Sequence, residues 1–530
     1  RAGQKRLMAR KRKRERAGMT ALVAVTLVTI CTLALIVLIR KIKTPETTEN
    51  VNTPDETDLS YVNQMKNTVE APVMQALSED EAGPSYATDP SEPERALPSE
   101  VGIDEECFRQ IEAVIEEDVA NGFPGAQLAV MKDGKLIYEN AWGQLNAYEP
   151  DGTRIEDGIE ATTDTMYDLA SVTKMFGVNY ALQKLVSDGD IDLDSRVVSY
   201  LGDRFSEDVI EIRYEGGDDA DIQTQKEWKS ALTLKELLMH QAGFPADPRY
   251  CNPHLDTEKQ KYDPDKTNLL YAGCGGDEAT REATVEAICR TPLLYEPGSR
   301  TLYSDVDYMI LGLVVEQVTG EDLDTYLKET FLEPMGLKRI SYRPLDRGYT
   351  KEDCAATELN GNTRDGSVSF DGIRTYTLQG EVHDEKAYYS MGGISGHAGL
   401  FGNATDLARL ANVMLTGEYE GRVFFSKDVI DMFTAPKSEE KQNWGLGWWR
   451  QGHMQRAKYF STKAGENTFG HQGWTGTMVM IDPDEKLVIA FLTNKINTPV
   501  KDPVTKEFLG NDYTTATLGF VPELIYKGMK

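Results

Sequence analysis

The sequence predicts an α+β domain whose two ends meet in one antiparallel sheet, and three observations carry that prediction. Ala126–Met131 and Lys135–Trp142 are short strand-like runs joined by Lys132-Asp133-Gly134, a hairpin signal. At the far end, TMVMID (477–482) and KLVIAFLTN (486–494) flank Pro483-Asp484-Glu485 in the same way. Outside both pairs lie helical patterns. IDEECFRQIEAVIEEDVANGF (103–123) has apolar residues at helical spacing and stops at Asn121-Gly122, and LGFVPELIYKGMK (518–530) reads as a closing helix. Helices occupy the middle, and no internal repeat is present.

The rest of the chain divides by composition. Of 530 residues, 57 are Lys or Arg and 86 are Asp or Glu, a net charge of −29 that argues against general nucleic-acid binding. Residues 1–43 run the other way, with twelve basic residues against Glu15 alone. That is a net +11, which leaves −40 for the remainder. Thr20–Ile39 holds no charge, Pro or Gly, and twenty helical residues span about 30 Å, the thickness of a hydrocarbon core. The heavier basic flank precedes it, so the N-terminus is expected to be cytoplasmic and the bulk of the chain outside. Arg40-Lys41-Ile42-Lys43 follows at once with no small-residue cleavage site, which favours an uncleaved anchor over a signal peptide. The chain opens on Arg1 rather than Met, so a native start upstream is expected. Residues 40–100 are acidic, with seven prolines and few large apolar groups. They cannot repay ordering entropy and read as a tether reaching roughly 40 Å. The expected divisions are thus a basic tail at 1–19, an anchor at 20–39, a tether at 40–100 and a catalytic domain at 101–530.

Chemistry enters with Ser171-Val172-Thr173-Lys174. If Ser171 opens a helix, i and i+3 share a face and the lysine amine sits beside the hydroxyl. A neutral buried lysine can take the serine proton, and a helix N-terminus can stabilise an oxyanion. Alone, the pattern is weak, since an N-capping serine would look the same. Downstream, however, stand Tyr303-Ser304-Asp305, leading into the amphipathic pattern VDYMILGLVVEQVTG, and His471-Gln472-Gly473-Trp474 before the C-terminal strands.

Ser-x-x-Lys, then Tyr-Ser-(Asn/Asp), then (Lys/His)-x-Gly is the ordered triplet of penicillin-recognising serine enzymes. LLMHQAGFPADP, PGSRTLYSDVDYMILG, NTRDG, GEVHDEKAYYSMGGISGHAGLF and FGHQGWTGT together resemble the penicillin-binding protein 4B subgroup of class C β-lactamase-related hydrolases. These are D-Ala-D-Ala carboxypeptidases of the bacterial envelope. The resemblance covers most of 101–530. It implies a β-lactamase/DD-peptidase-like fold, a five-stranded antiparallel sheet flanked by helices beside an all-helical lobe. It also implies Ser171 as the acylated nucleophile, Lys174 as proton acceptor and Tyr303 as proton shuttle. The oxyanion hole would be the backbone N–H groups of Ser171 and Trp474, with Gly473 beside it, and His471 would face the substrate carboxylate. No metal or cofactor is needed for two-step acyl transfer to water. The implied partners are peptidoglycan stem peptides and β-lactams, met at the outer face of a bacterial cell membrane.

Two positions depart from the usual pattern. Asp305 stands where most class C enzymes carry Asn, and an ionised carboxylate only accepts hydrogen bonds. It can pair with Lys174, raising the lysine pKa, or bind a substrate amine. His471 replaces the common lysine and is only partly charged near neutral pH. Both make efficient β-lactam hydrolysis less favourable. A β-lactamase, an esterase or a D-amino-peptide hydrolase remain alternatives within the fold, and a non-hydrolytic wall-binding module is the alternative outside enzymes. Among other candidates, His383-Asp384-Glu385 is expected to line the cleft, because adjacent residues rarely converge on one metal. His240 is expected to satisfy loop carbonyls, His397 to sit in a tight turn, and Trp444–Trp449 to form core or cleft wall. Cys251 and Cys274 bracket an apparent insertion and could pair in an oxidising exterior.

Overall fold

The computed structural model describes residues 92–530 apart from 440. The expected anchor at 20–39 and most of the tether lie outside the described residues, among which no helix is long and apolar enough to cross a membrane. Helix α1 (Glu106–Ala120) precedes the hairpin β1 (Gly125–Lys132) and β2 (Lys135–Gly143). Strand β3 (Tyr167–Asp168) leads through the Ser171 turn to α2 (Tyr180–Asp188), and α3 (Leu234–Leu238), α4 (Glu278–Arg290) and α5 (Asp305–Thr319) follow. Strands β4 (Ile340–Tyr342) and β5 (Leu400–Gly402) join β3 in a small sheet, and α6 (Ala404–Thr416) comes next. The chain then forms β6 (Trp449–Arg450), β7 (Phe469–Gly473), β8 (Thr477–Asp482), β9 (Leu487–Thr493) and the closing helix α7 (Phe520–Gly528).

The main sheet runs β2-β1-β9-β8-β7-β6, so the two ends of the domain do meet in it. β1 pairs antiparallel with β9 from Ala126 opposite Thr493 to Lys132 opposite Leu487. Outside the sheet, the Asp104 amide bonds the Gly528 carbonyl at 2.8 Å. The first hairpin turns where the sequence places it. Asp133 and Gly134 both have positive φ (53° and 81°), the left-handed pair that suits the twist of a two-residue hairpin loop.

The central strands read as unbroken apolar runs because both faces are covered. Leu128, Val130, Met478, Met480, Ile489 and Phe491 pack with α1 and α7 on one side. The alternating residues Ala129, Val479, Ile481, Val488 and Ala490 join the larger core with α2, α5 and α6 on the other. A fully buried Phe491 contributes about 1.5–3 kcal/mol by transfer alone.

Three expectations need correction. The sheet has six strands rather than five, because Trp449-Arg450 pairs with β7 at its edge, and two residues are too few to show alternation. The helix after Tyr303 is not amphipathic. Val306–Val315 are all buried, so α5 is a central helix covered on every side until its last turn. The domain also begins before 101. Leu136 bridges to the segment around Arg95 across the edge of β2, its amide donating to the Glu94 carbonyl (2.8 Å) and its carbonyl accepting from the Ala96 amide (3.2 Å).

Candidate active site

Asp168 ends β3 and fixes the turn that carries Ser171. Its Oδ1 accepts the Ala170 amide (2.8 Å), its Oδ2 the His383 amide (2.7 Å), and its carbonyl the Thr475 hydroxyl (2.7 Å). Ala170 is held at φ 45°, a left-handed conformation that a non-glycine residue adopts only under restraint. Ser171 sits in a 3₁₀ turn, and Lys174–Asn179 form a π-helical turn before α2, a distortion frequent at functional sites. Strand β7 approaches this turn so closely that a Cβ on Gly473 would lie 2.3 Å from the Leu169 carbonyl oxygen. Only glycine permits that contact, which brings Gly473 and Trp474 alongside Ser171.

The structure gathers the predicted residues. The Lys174 ammonium, fully buried, donates to Ser171 Oγ (3.0 Å), to Asp305 Oδ1 (2.8 Å) and to the His397 carbonyl (3.1 Å). It lies 4.8 Å from the centre of the Tyr303 ring. Burial opposes its charge, but Asp305 and Tyr303 outweigh burial and raise its pKa above that of a free lysine. Burial likewise raises the Tyr303 phenol, against the pull of Lys174. Lys174 is therefore the cation and Tyr303 the neutral phenol of the resting site. Of the two arrangements open from the sequence, a neutral lysine base and a lysine paired with Asp305, the resting site has the second.

Asp305 is ionised. Burial works against the charge, yet Lys174 and then Lys386 hold the carboxyl well below the usual carboxylate range. Its Oδ2 meets Lys386 Nζ at 3.1 Å. Lys386 is itself buried, bonded to Asp247 and 3.7 Å from Asp384. Asp384 accepts from His397 Nε2 (2.8 Å), whose Nδ1 meets Ser395 Oγ (2.8 Å). Asp305, Asp384 and His397 bring ligand atoms within 4.8 Å of one another, the spacing of a metal cluster. The Lys386 ammonium, close to both carboxylates, already supplies a cation there.

His471 departs from its expected role. Its Nδ1 meets the Gln472 carbonyl (2.7 Å), and the ring is buried between Trp449 (4.9 Å) and Tyr303 (6.2 Å). Burial first, and Lys174 second, lower its pKa to about 3. It is thus neutral near pH 7 and offers no charge to a substrate carboxylate. Trp474 forms a cleft wall, stacked on His383 (5.0 Å) and met edge-on by Phe508 (5.7 Å).

Other readings divide. His383-Asp384-Glu385 does lie at the site, and Asp384 enters its charge network. His240 does not serve loop carbonyls through its ring. Its Nδ1 pairs with Asp307 (2.7 Å), and the ring packs against Tyr303 (4.5 Å). His397 occupies a turn, as expected, yet its carbonyl holds Lys174. A Cβ at the preceding Gly396 would lie 2.1 Å from the Tyr308 carbonyl oxygen, so this turn packs directly on α5. Trp444 and Trp449 are core residues. The five described cysteines are free. Cys251 is buried in an apolar cluster with Phe370 and Tyr389, and Cys274 Sγ faces the Asp371 carbonyl, so the pairing that the sequence left open is not made. Lys386, Asp247 and Asp168 were not singled out from the sequence, where only their proximity to recognised motifs marks them.

The family model described as Beta-lactamase matches residues 111–511. A protein of Escherichia coli (strain K12) named "Putative D-alanyl-D-alanine carboxypeptidase" is 42% identical over 436 residues, which is 82% of this chain and 93% of that protein. Among solved structures, a penicillin-binding protein homologue from Caulobacter crescentus matches with TM-score 0.53 at 19% identity, covering 81% of this chain and 99% of the other. EstCE1, a hydrolase with promiscuous acyltransferase activity, matches with TM-score 0.53 at 21% identity, covering 79% and 99%. The two structural likenesses bear on the fold.

Proposed function

Since the chain belongs to the beta-lactamase family of serine hydrolases, we propose that it is a DD-carboxypeptidase acting through an acyl-enzyme on D-Ala-D-Ala peptides of peptidoglycan. The observation that carries the reading is Lys174 Nζ at 3.0 Å from Ser171 Oγ, with the Tyr303 ring beside it. Ser171 Oγ attacks the carbonyl of the penultimate D-Ala and its proton passes to the Lys174–Tyr303 pair. That pair must first lose one proton, because the resting lysine is charged. The tetrahedral oxyanion is received by the backbone N–H groups of Ser171 and Trp474. Tyr303 returns the proton to the leaving D-Ala amine, and water then cleaves the ester by the reverse route.

The apolar run Thr20–Ile39 serves in this reading as a single-pass anchor with a cytoplasmic N-terminus. The acidic tether then presents the catalytic domain outside the bacterial membrane, where stem peptides are trimmed. A second reading, an ester or D-amino-peptide hydrolase, is favoured by one feature. Asp305 is an acceptor and His471 is neutral, so the two positions that usually grip a β-lactam's amide and carboxylate are altered.

The test is intact-mass spectrometry of the full chain with a penicillin, beside Ser171→Ala, followed by D-Ala release from a D-Ala-D-Ala tripeptide. A one-to-one adduct on the wild type alone, with D-Ala released, is expected. No adduct, no penicillin consumed and no D-Ala released would overturn the peptidase in favour of the second reading.

A further inference from the structure

Lys386 is a buried cation joined to the catalytic pair through Asp305, and the acyl-transfer steps above give it no role. It is 4% exposed and comes from a segment that follows Asp305 by 81 positions. Three carboxylates face it: Asp247 as a hydrogen-bonded partner, Asp305 at 3.1 Å and Asp384 at 3.7 Å. The two oxygens of Asp305 are divided, Oδ1 to Lys174 at 2.8 Å and Oδ2 to Lys386 at 3.1 Å. One carboxylate therefore bridges two ammonium groups. Around Lys174 the remaining groups are Ser171, Tyr303 and the His397 carbonyl, with the Tyr308 ring 6.0 Å away. His240, in the turn after α3, and His471, on β7, also face it, and both are neutral.

This arrangement lessens a difficulty of the site. An Asp in place of an amide, left alone with Lys174, would turn both oxygens onto it as a private ion pair and hold its proton more tightly than a shared carboxylate does. A protonated lysine cannot accept the serine proton. We propose that Lys386 is a positioning residue for the acyl-transfer reaction: it holds the second oxygen of Asp305, so that this carboxylate bridges two cations instead of pairing with Lys174 alone. Asp247 and Asp384 anchor Lys386 for that purpose, and His397 ties Asp384 back to the loop whose carbonyl also bonds Lys174. The anchoring is geometric as well as electrostatic. Without Lys386, Asp305 is free to rotate onto Lys174, and both the proton inventory and the lysine's direction toward Ser171 change.

The inference rests on Ser171 and Lys174 being the acylation pair. The experiment follows acylation of the full chain by a chromogenic ester and a fluorescent penicillin from pH 5 to 11.5, with spontaneous hydrolysis subtracted at each pH, in wild type, K386M, K386R, D305N and D305N/K386M. In K386M the acid limb of the pH–rate profile is expected to move up by about one unit, a roughly tenfold loss at pH 7 that recovers in alkali. K386R is expected to restore the wild-type limb, as its guanidinium can still hold Asp305. In the D305N background, K386M should leave the limb in place. The proposal is overturned if the limb does not move in K386M. It is also overturned if K386M shifts the limb equally in both backgrounds, because Lys386 then acts through its field and not through Asp305. K386M leaves three carboxylates facing one another, so D247N/K386M, which removes one of them, supplies the same readout if the single variant does not fold. Loss of labelling in S171A tests the catalytic reading separately, since it is independent of where the limb lies.

Discussion

Replacing Gly473 with Ala should disable the site with little damage to the fold. The added Cβ would sit 2.3 Å from the Leu169 carbonyl oxygen, 2.3 Å from Thr477 Oγ1 and 3.2 Å from Ala170 Cβ. Ordinary contact begins near 3.4 Å, so the Leu169 carbonyl must retreat by about 1 Å. The threonine hydroxyl can rotate away, although it then gives up its own bond to Leu169 (3.1 Å). The backbone carbonyl cannot move without carrying Ala170 and Ser171, because Asp168 clamps the same turn. Overpacking of this kind costs about 1–3 kcal/mol in stability. Its effect on chemistry is larger. A 1 Å misplacement of reacting groups costs about 100-fold, and a misdirected oxyanion donor about 100- to 1000-fold. The assay is the acylation rate with a reporter ester, read beside thermal unfolding of G473A. We expect Tm lower by a few degrees and acylation slower by at least about 100-fold. Acylation within threefold of wild type would refute the argument that the close approach of β7 builds the site.

Other outcomes follow from the buried charges. His471 is held neutral to about pH 3, so its imidazole NMR signals, assigned with H471N, should not titrate between pH 5 and 8, and a midpoint near 6.5 would contradict its burial. The sign for stability is set by the unfolded chain, which binds a proton at this histidine below about pH 6.5 while the folded one does not. His471 therefore makes the fold less stable as pH falls from about 6.5 toward 3, and H471N should remove that part of the acid sensitivity in urea titrations. In the helical lobe, Lys229 Nζ bonds the carbonyls of Cys289 (2.6 Å), Thr291 (2.9 Å) and Ile288 (3.4 Å) at the C-terminal end of α4. K229M leaves all three without that donor and should cost about 2–4 kcal/mol by denaturant unfolding, and a loss below 1 kcal/mol would show that water replaces it.

What the sequence made legible was local or ordered along the chain. Ser171 and Lys174 are three residues apart on one helical path, and their distance followed from that spacing. The two hairpins were legible because Asp133-Gly134 and Pro483-Asp484-Glu485 interrupt apolar runs at strand spacing. Tyr303 and Asp305 were found by their order relative to Ser171. Lys386 was not found, because its partners Asp247 and Asp305 come from distant segments and no short pattern records such a meeting. The neutrality of His471 was equally hidden, since it depends on burial by Trp449 and Tyr303 rather than on its neighbours in the chain. Helix α5 looked amphipathic because Asp305 and Asp307 open it. Both acids are spent inward, on Lys174 and His240, and so give it no wet face.

The sheet that joins both ends of the domain has a consequence for the protein during its synthesis. Ser171 and Lys174 leave the ribosome early, but Gly473 lies 302 positions behind Ser171 and β9 later still. At ordinary translation rates that is about 15–60 s during which a nascent chain carries the proposed nucleophile without the strand proposed to complete its oxyanion hole. β1, for its part, has β2 as its only sheet neighbour until β9 arrives. On the proposed reading, reactivity awaits completion of the chain, and a product truncated before Thr493, which lacks the strand between β1 and β8, is expected to be inert.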